Sequence, residues 1–233
     1  MHDHHFLVIP EVGLAYGRCP NAANEGIRRA LLNLTRQYPA GLDTPDHATA
    51  PEPRYATGTL TTWADGLVLL SARQLTRRHP DAIVFAAVRD PVARLAACYI
   101  HDLDRGQAIP PSGVYLGFQP GMSFTAFAAR VCSIPDERSS NAYRSQASIL
   151  THKGRMLPDH VVRHENRIED WARLRTRVER CCGVDIGPLA PPRDAEEREI
   201  AEVVATLDPA LVGALRHRYR RDFALFYGGM PIT

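Results

Sequence analysis

Arg89 is the residue best placed by its sequence context to bind a ligand, because it directly follows the apolar run 82–88. Such a run is typical of a strand that is covered on both faces of a parallel sheet. Ligands of open α/β sheets bind beyond the carboxyl ends of the strands, where Arg89 would lie. Asp90 follows, and Pro91 suits the first turn of a helix whose positive end favours anions. The pattern predicts a phosphate site, since a guanidinium binds phosphate at two points; the alternative is an Arg-Asp pair that only caps the helix.

A second stretch in which a turn leads into the start of a helix lies near the beginning of the chain. Residues 18–26 form a polar turn rich in small residues. Apolar residues at positions 27, 30, 31 and 34 then predict an amphipathic helix. Asn24 suits a helix cap, and Glu25 suits the positive end of the helix.

Four stretches in this order resemble the motifs of carbohydrate-type sulfotransferases and together span about residues 15–228. Residues 85–99 (FAAVRDPVARLAACY) are similar to the family's 3′-phosphate motif, and residues 18–31 (RCPNAANEGIRRAL) to its 5′-phosphosulfate loop. Residues 161–171 (VVRHENRIEDW) and 219–227 (YRRDFALFY) are similar to two later motifs. The resemblance implies a single domain over residues 1–233 with a three-layer, P-loop-like α/β fold, in which helices flank a central parallel sheet.

The resemblance also implies a donor, 3′-phosphoadenosine 5′-phosphosulfate (PAPS), and no metal. The reaction would transfer a sulfuryl group to a hydroxyl of a carbohydrate or other small metabolite. The residues that align with the donor-binding motifs are Asn21, Ala22, Ala23, Asn24, Glu25, Gly26, Arg89 and Ala97.

Four of these positions depart from the family pattern. Asn21 stands where the family has a lysine that stabilises charge on the leaving phosphate, and losing one such contact costs roughly 10²-fold or more in rate. Glu25 and Gly26 replace a Thr/Ser pair, and Ala97 replaces a serine. The departures support an alternative function, a sulfotransferase-fold protein that binds a nucleotide or glycan without transfer.

The sequence does not identify a general base, so the catalytic residues stay open. The candidates are His47, His79, His101 and Asp102. Lys153, the chain's single lysine, is a candidate replacement for the missing cation. An alternative alignment to the family motif would place the phosphosulfate loop at residues 9–13. A P-loop kinase is a third and less favoured hypothesis, because nothing matches its G-x-x-x-x-G-K-[ST] motif.

The remaining elements are predicted from apolar periodicity. Helices are expected over residues 67–78, 92–103, 124–131, 169–182, 195–206 and 209–226, a short strand over 161–164, and Pro/Gly-rich loops over 39–58 and 106–122. A net charge of +2 gives no reason to expect nucleic acid as a partner. No apolar run reaches the ~20 residues of a membrane span. Five scattered cysteines favour reduced thiols and a cytoplasmic location.

Overall fold

The computed structural model describes residues 4–37, 61–64, 66–101 and 111–228. The strands are β1 (His4–Ile9), β2 (Leu14–Gly17), β3 (Thr61–Ala64), β4 (Leu67–Ser71), β5 (Ile83–Val88), β6 (Thr151–His152), β7 (Arg155–Met156) and β8 (His160–Arg163). The helices are α1 (Asn24–Gln37), α2 (Ala72–Arg78), α3 (Pro91–Tyr99), α4 (Pro111–Tyr115), α5 (Phe124–Ser133), α6 (Gln146–Leu150), α7 (Arg167–Cys182), α8 (Asp194–Val204), α9 (Pro209–Arg218) and α10 (Arg220–Phe226).

Six strands form one mixed sheet in the order β3-β4-β1-β2-β5-β8. β1 and β2 pair antiparallel as a hairpin whose turn holds Gly13 at φ 69°, a conformation that suits glycine. β5 pairs parallel with β2, and every residue of β5 is buried. The prediction of an α/β fold with a central sheet flanked by helices is confirmed. The sheet is mixed and not parallel throughout, because β1 pairs antiparallel with β2 and with β4, and β3 pairs antiparallel with β4. The run 82–88 does supply an interior, parallel-paired strand.

The prediction of a helix over residues 67–78 is wrong in its first half. Leu67–Ser71 is β4, which pairs with both β1 and β3. The helix starts only at Ala72, where Ser71 and Gln74 form a capping box that satisfies orphan amides of the first turn. The apolar leucines are therefore part of the sheet, and the serine marks the point where the helical period begins.

Other predicted elements differ from the structure or lie partly outside its described residues. The expected loop over residues 106–122 contains the helix α4, and residues 39–58 lie outside the described part of the chain. The predicted helix over 92–103 begins at Pro91, and its regular α-helical part ends at Tyr99. The predicted helix over 209–226 is broken at Tyr219, whose hydroxyl donates to the backbone carbonyl of Tyr143 at 2.6 Å.

The chain divides into two compact units. The sheet unit takes its described residues from the segments Met1–Arg18, Ala23–Ala87 and Leu150–Pro191, and the helical unit from Cys19–Ala22, Val88–Ile149 and Pro192–Thr233. Each has its own apolar core. In the sheet unit Phe6, Val8, Leu70 and Leu75 are buried together. In the helical unit α3, α5 and α9 contact one another, and their buried residues, Phe127 among them, form one cluster. The assignment of residues 1–233 to one domain stays a prediction.

Candidate functional site

Arg89 lies directly after β5 in the helical unit, and its backbone is held on both sides by one glutamine. The backbone amide of Arg89 donates to Oε1 of Gln146 at 3.0 Å, and Nε2 of Gln146 donates to the carbonyl of Arg89 at 2.8 Å. Gln146 is fully buried and Arg89 is 2% exposed. The two residues are 57 positions apart in the chain, so no local sequence signal pointed to Gln146. This pair of hydrogen bonds fixes where the Arg89 side chain starts.

The Arg89 guanidinium has an anionic partner inside the protein. Its Nη2 donates to Oε2 of Glu197, in α8, at 2.6 Å. The Glu197 side chain is 37% exposed, whereas that of Arg89 is 2% exposed. Sequence reasoning missed Glu197 because it follows Arg89 by 108 residues. The residue predicted to bind a phosphate is thus paired with a carboxylate.

Asp90 and Pro91 start the helix α3 as the sequence predicts. The Asp90 carboxylate accepts hydrogen bonds from the backbone amides of Val92 at 2.9 Å and Ala93 at 3.0 Å. Pro91 occupies the first turn, where the missing N–H costs nothing. The capping interpretation of Asp90 is therefore correct, and the anion at the Arg89 guanidinium is Glu197.

Asp222 positions Gln146 and through it Arg89. Its carboxylate accepts from the backbone amides of Gln146 at 2.9 Å and Ala147 at 2.7 Å. Burial raises the pKa of Asp222, while these amides and the charge of Arg94 act in the opposite direction. Asp222 belongs to the closing motif 219–227, whose aspartate thus serves the segment that holds Arg89.

Arg94, the second arginine of the 3′-phosphate motif, is 1% exposed and donates to backbone carbonyls. It reaches Pro20 at 3.4 Å and Ala142 at 3.0 Å, and it also donates to Asn141 and Arg144. These bonds tie α3 to residues 19–22 and 141–144 within the helical unit. Burial raises the pKa of the neighbouring Cys19 thiol to about 12 against the lowering effect of Arg94, so Cys19 is a packing residue there and not a thiolate.

The loop before α1 contains two residues other than glycine with a left-handed backbone. Asn21 has φ 61° and Ala23 has φ 58°. Asparagine adopts this region more readily than most residues, whereas alanine is strained in it. Ala22, between them, is fully buried, and α1 begins at Asn24. Backbone strain of this kind concentrates at ligand-binding sites.

The two loop positions that replace the family's Thr/Ser pair have other contacts. Glu25 is exposed and pairs with Arg29 one turn along α1, at 3.1 Å. Gly26 lies against Leu189, because a Cβ at position 26 would stand 3.0 Å from Cδ1 of Leu189. A cavity of about 300 Å³ in the sheet unit is lined by Gly26, Arg29, Asn33 and Asp185 among others.

Ala97 is buried in the apolar core of the helical unit, among residues such as Val92 and Phe127. The helical unit holds Asn21, Ala22, Arg89 and Ala97, and the sheet unit holds Ala23, Asn24, Glu25 and Gly26. Among the four predicted site residues in the helical unit, only Arg89 has a charged side chain.

The candidate bases and the alternative cation occupy varied positions. His101 lies in the helical unit with its Nε2 3.7 Å from Oε1 of Glu196, and His79 ends α2 in the sheet unit. His47 and Asp102 lie outside the described residues. Lys153 is exposed in the tight turn between β6 and β7. The alternative phosphosulfate register over residues 9–13 is wrong, because these residues connect two antiparallel strands and no helix follows them.

The described residues contain neither a candidate metal site nor a helix that could span a membrane. Among residues 4–37, 61–64, 66–101 and 111–228, no three histidines, cysteines or carboxylates lie together in a way that would hold a metal ion. No helix in that part of the chain has the length and apolar character to cross a bilayer.

Comparison with known proteins bears on the chain as a whole. Residues 4–228 match the family model described as "Sulfotransferase family". Neither the curated proteins nor the solved structures gave a match. The family match covers nearly the entire chain and includes Arg89, the loop before α1 and the Asp222 motif. The chain belongs to the sulfotransferase family.

Proposed function

We propose that the protein transfers a sulfuryl group from PAPS to a hydroxyl of a carbohydrate or other small metabolite. The observation that carries the proposal is Arg89, a buried guanidinium at the end of an interior strand, with its backbone fixed by Gln146. A preorganised cation of this kind suits a nucleotide phosphate, because little order has to be created when the ligand binds.

In the proposed reaction the acceptor oxygen forms a bond to sulfur while the bond from sulfur to the 5′-phosphate oxygen breaks. The leaving nucleotide, 3′-phosphoadenosine 5′-phosphate, keeps the electron pair, and the acceptor's proton passes to a base or to water. Backbone amides at a helix N-terminus, such as those at the start of α1, suit the negative charge that develops on a leaving phosphate. Asn21 would supply a neutral donor where relatives supply a lysine.

The alternative function is nucleotide or glycan binding without transfer. It is favoured by Asn21, which brings no charge, and by Ala97, which lies in an apolar core and offers no hydroxyl. We further propose that residues 1–233 act as one domain and that the protein works in the cytoplasm. The five cysteines, none of which forms a disulfide, support that location.

Calorimetry with 3′-phosphoadenosine 5′-phosphate tests the donor site, and transfer of labelled sulfate from PAPS to a panel of sugars and metabolites tests the reaction. Binding together with transfer supports the enzyme. Binding without transfer to any acceptor or to water supports the alternative. Absence of binding at millimolar nucleotide would reject the enzyme and the nucleotide-binding form of the alternative, and would leave glycan binding as the remaining candidate.

A further inference from the structure

Arg89 and Glu197 differ in burial and in how firmly they are held. The difference indicates which of the two side chains would move when a ligand binds. Arg89 is nearly fully buried and its backbone is held by Gln146 at 3.0 and 2.8 Å. Glu197 reaches Arg89 from the first turns of α8 with more than a third of its side chain exposed to solvent. A ligand that competes for the guanidinium would therefore displace Glu197 and leave Arg89 in place.

A carboxylate and a phosphate compete for the same donors on a guanidinium. Both accept charge-assisted hydrogen bonds from its N–H groups. A phosphate placed at Arg89 beside an unmoved Glu197 would face a like charge, which is unfavourable in a partly dry site. The phosphate and the Glu197 carboxylate therefore cannot both keep close contact with Arg89.

Arg89 needs Glu197, because a buried cation without a partner is strongly destabilising. The same contact must be broken before Arg89 binds a phosphate, so it weakens the apparent affinity for any ligand that uses Arg89. Glu197 thus neutralises the Arg89 guanidinium and competes with any anion that binds there.

We infer that Glu197 is an internal competitor for the nucleotide's 3′-phosphate, and that its carboxylate occupies Arg89 until the donor displaces it. The inference rests on the proposed function, since it takes the 3′-phosphate as the ligand of Arg89. It adds a regulatory residue, on α8, that none of the four family-like motifs contains.

The test uses two nucleotides that differ only in the 3′-phosphate, which are 3′-phosphoadenosine 5′-phosphate and adenosine 5′-phosphate. Calorimetry gives a selectivity ratio for wild type and for Glu197→Gln. The ratio is the dissociation constant of adenosine 5′-phosphate divided by that of 3′-phosphoadenosine 5′-phosphate. We expect Glu197→Gln to bind the 3′-phosphorylated nucleotide roughly tenfold more tightly and to bind adenosine 5′-phosphate as wild type does. Because the ratio is measured within one variant, a partial loss of stability does not affect it.

Glu196→Gln is the matched control. Glu196 precedes Glu197 on α8, and its carboxylate lies 3.7 Å from His101. We expect this variant to leave the ratio unchanged. If Glu197→Gln does not fold, Glu197→Asp replaces it, since the shorter side chain keeps the charge but withdraws it from Arg89; we expect a smaller rise in the ratio.

The outcomes separate this inference from the proposed function. A lower ratio in Arg89→Ala than in wild type would show that wild type binds the 3′-phosphate through Arg89. If the Glu197 variants then leave the ratio unchanged or lower it, Glu197 is not a competitor, and the donor site stands. If no variant and no wild-type sample binds either nucleotide, the donor site itself is wrong and the inference fails with it.

Discussion

The two segments that resemble donor-binding motifs are built in different ways. Arg89 is held by long-range hydrogen bonds through Gln146 and Asp222, and no residue of β5 or α3 has a positive φ. The loop before α1 instead has Asn21 and Ala23 in left-handed conformations. The Arg89 segment has a buried charged side chain, whereas the loop has Asn21 at the position where the resemblance implies a lysine.

The difference indicates which part of the proposed donor site is held most firmly by the fold. Maintaining Arg89 requires buried polar partners from distant parts of the sequence, and those partners are present and satisfied. The loop before α1 has a demanding backbone conformation at Asn21 and Ala23 and no charged side chain at either position. Backbone amides are independent of side-chain identity, so a loop of this shape can still offer N–H groups to an anion.

The largest effect should come from Arg89→Ala. A charged hydrogen bond contributes about 1.5–3 kcal/mol, so affinity for 3′-phosphoadenosine 5′-phosphate should fall by roughly tenfold to a hundredfold. Calorimetry measures this, with circular dichroism to verify folding. Arg216→Ala, an exposed arginine in the same unit, is the control and should bind as wild type does. Equal affinities in both variants would remove Arg89 from the site.

Asp222→Asn should give the next largest effect, on stability. The two carboxylate oxygens each accept one backbone amide, at 2.9 and 2.7 Å, and an asparagine would direct its NH₂ group at one of them. A buried donor left without an acceptor costs about 1–3 kcal/mol in the free energy of unfolding, measured by urea denaturation. Asp208→Asn, at the exposed start of α9, is the control, because asparagine caps helices as well as aspartate does. Equal losses in the two variants would contradict the positioning role of Asp222.

The effect of burial on the Asp222 carboxyl has a definite pH dependence. Its pKa in the folded protein is raised, chiefly by burial. A raised pKa means that its contribution to stability is fully present below the unfolded-state pKa and is lost as pH rises through the folded-state value. Asp222→Asn should therefore be least stable relative to wild type at acidic pH, and the gap should narrow as pH increases. A gap that instead widens with pH would show that the two amide bonds outweigh burial.

Asn21→Lys tests the loop and should have a smaller effect. The new ammonium should tighten binding of PAPS, because a charge at a phosphate interacts more strongly than a neutral amide. Part of the gain is offset, since a left-handed backbone costs a side chain other than asparagine or glycine about 1–2 kcal/mol. Thermal shift with and without the nucleotide separates the two effects. A melting temperature that falls with no added response to nucleotide would show that the loop no longer binds a phosphate.

Glu25→Gln combined with Asn21→Lys sharpens this test. It removes the carboxylate that would otherwise pair with the new lysine, as it now pairs with Arg29. Adding the two family serines is less suitable. Gly26→Ser would bring a side chain to 3.0 Å from Leu189, and Ala97→Ser would place a hydroxyl in an apolar core.

Much of this could be predicted from the sequence where the signal is local. The apolar run before Arg89, the Asp-Pro start of α3 and Gly183 at the end of α7 all follow short-range rules, and the structure has all three. The prediction of a helix over 67–78 failed in its first half, because the four apolar residues 67–70 fit both a helix and a strand. The Ser71–Gln74 capping box marked the true start of the helix. Gln146 and Glu197 could not be found, since only the fold brings them to Arg89.

Ala23→Gly should have the smallest effect and gives the most direct test of strain in the loop. Alanine at φ 58° is strained by about 1–2 kcal/mol relative to a right-handed conformation, and glycine is not. Glycine also gives the unfolded chain more freedom, which cancels roughly 0.4–1 kcal/mol of the relief. The net expectation is a rise of about 0.5–1 kcal/mol in the free energy of unfolding. Ala201→Gly, an exposed position in α8, is the control and should lose about 1 kcal/mol, because its backbone is helical. If both variants lose stability equally, the left-handed conformation at Ala23 stores no strain, and the contrast between the loop and the Arg89 segment reduces to their side chains.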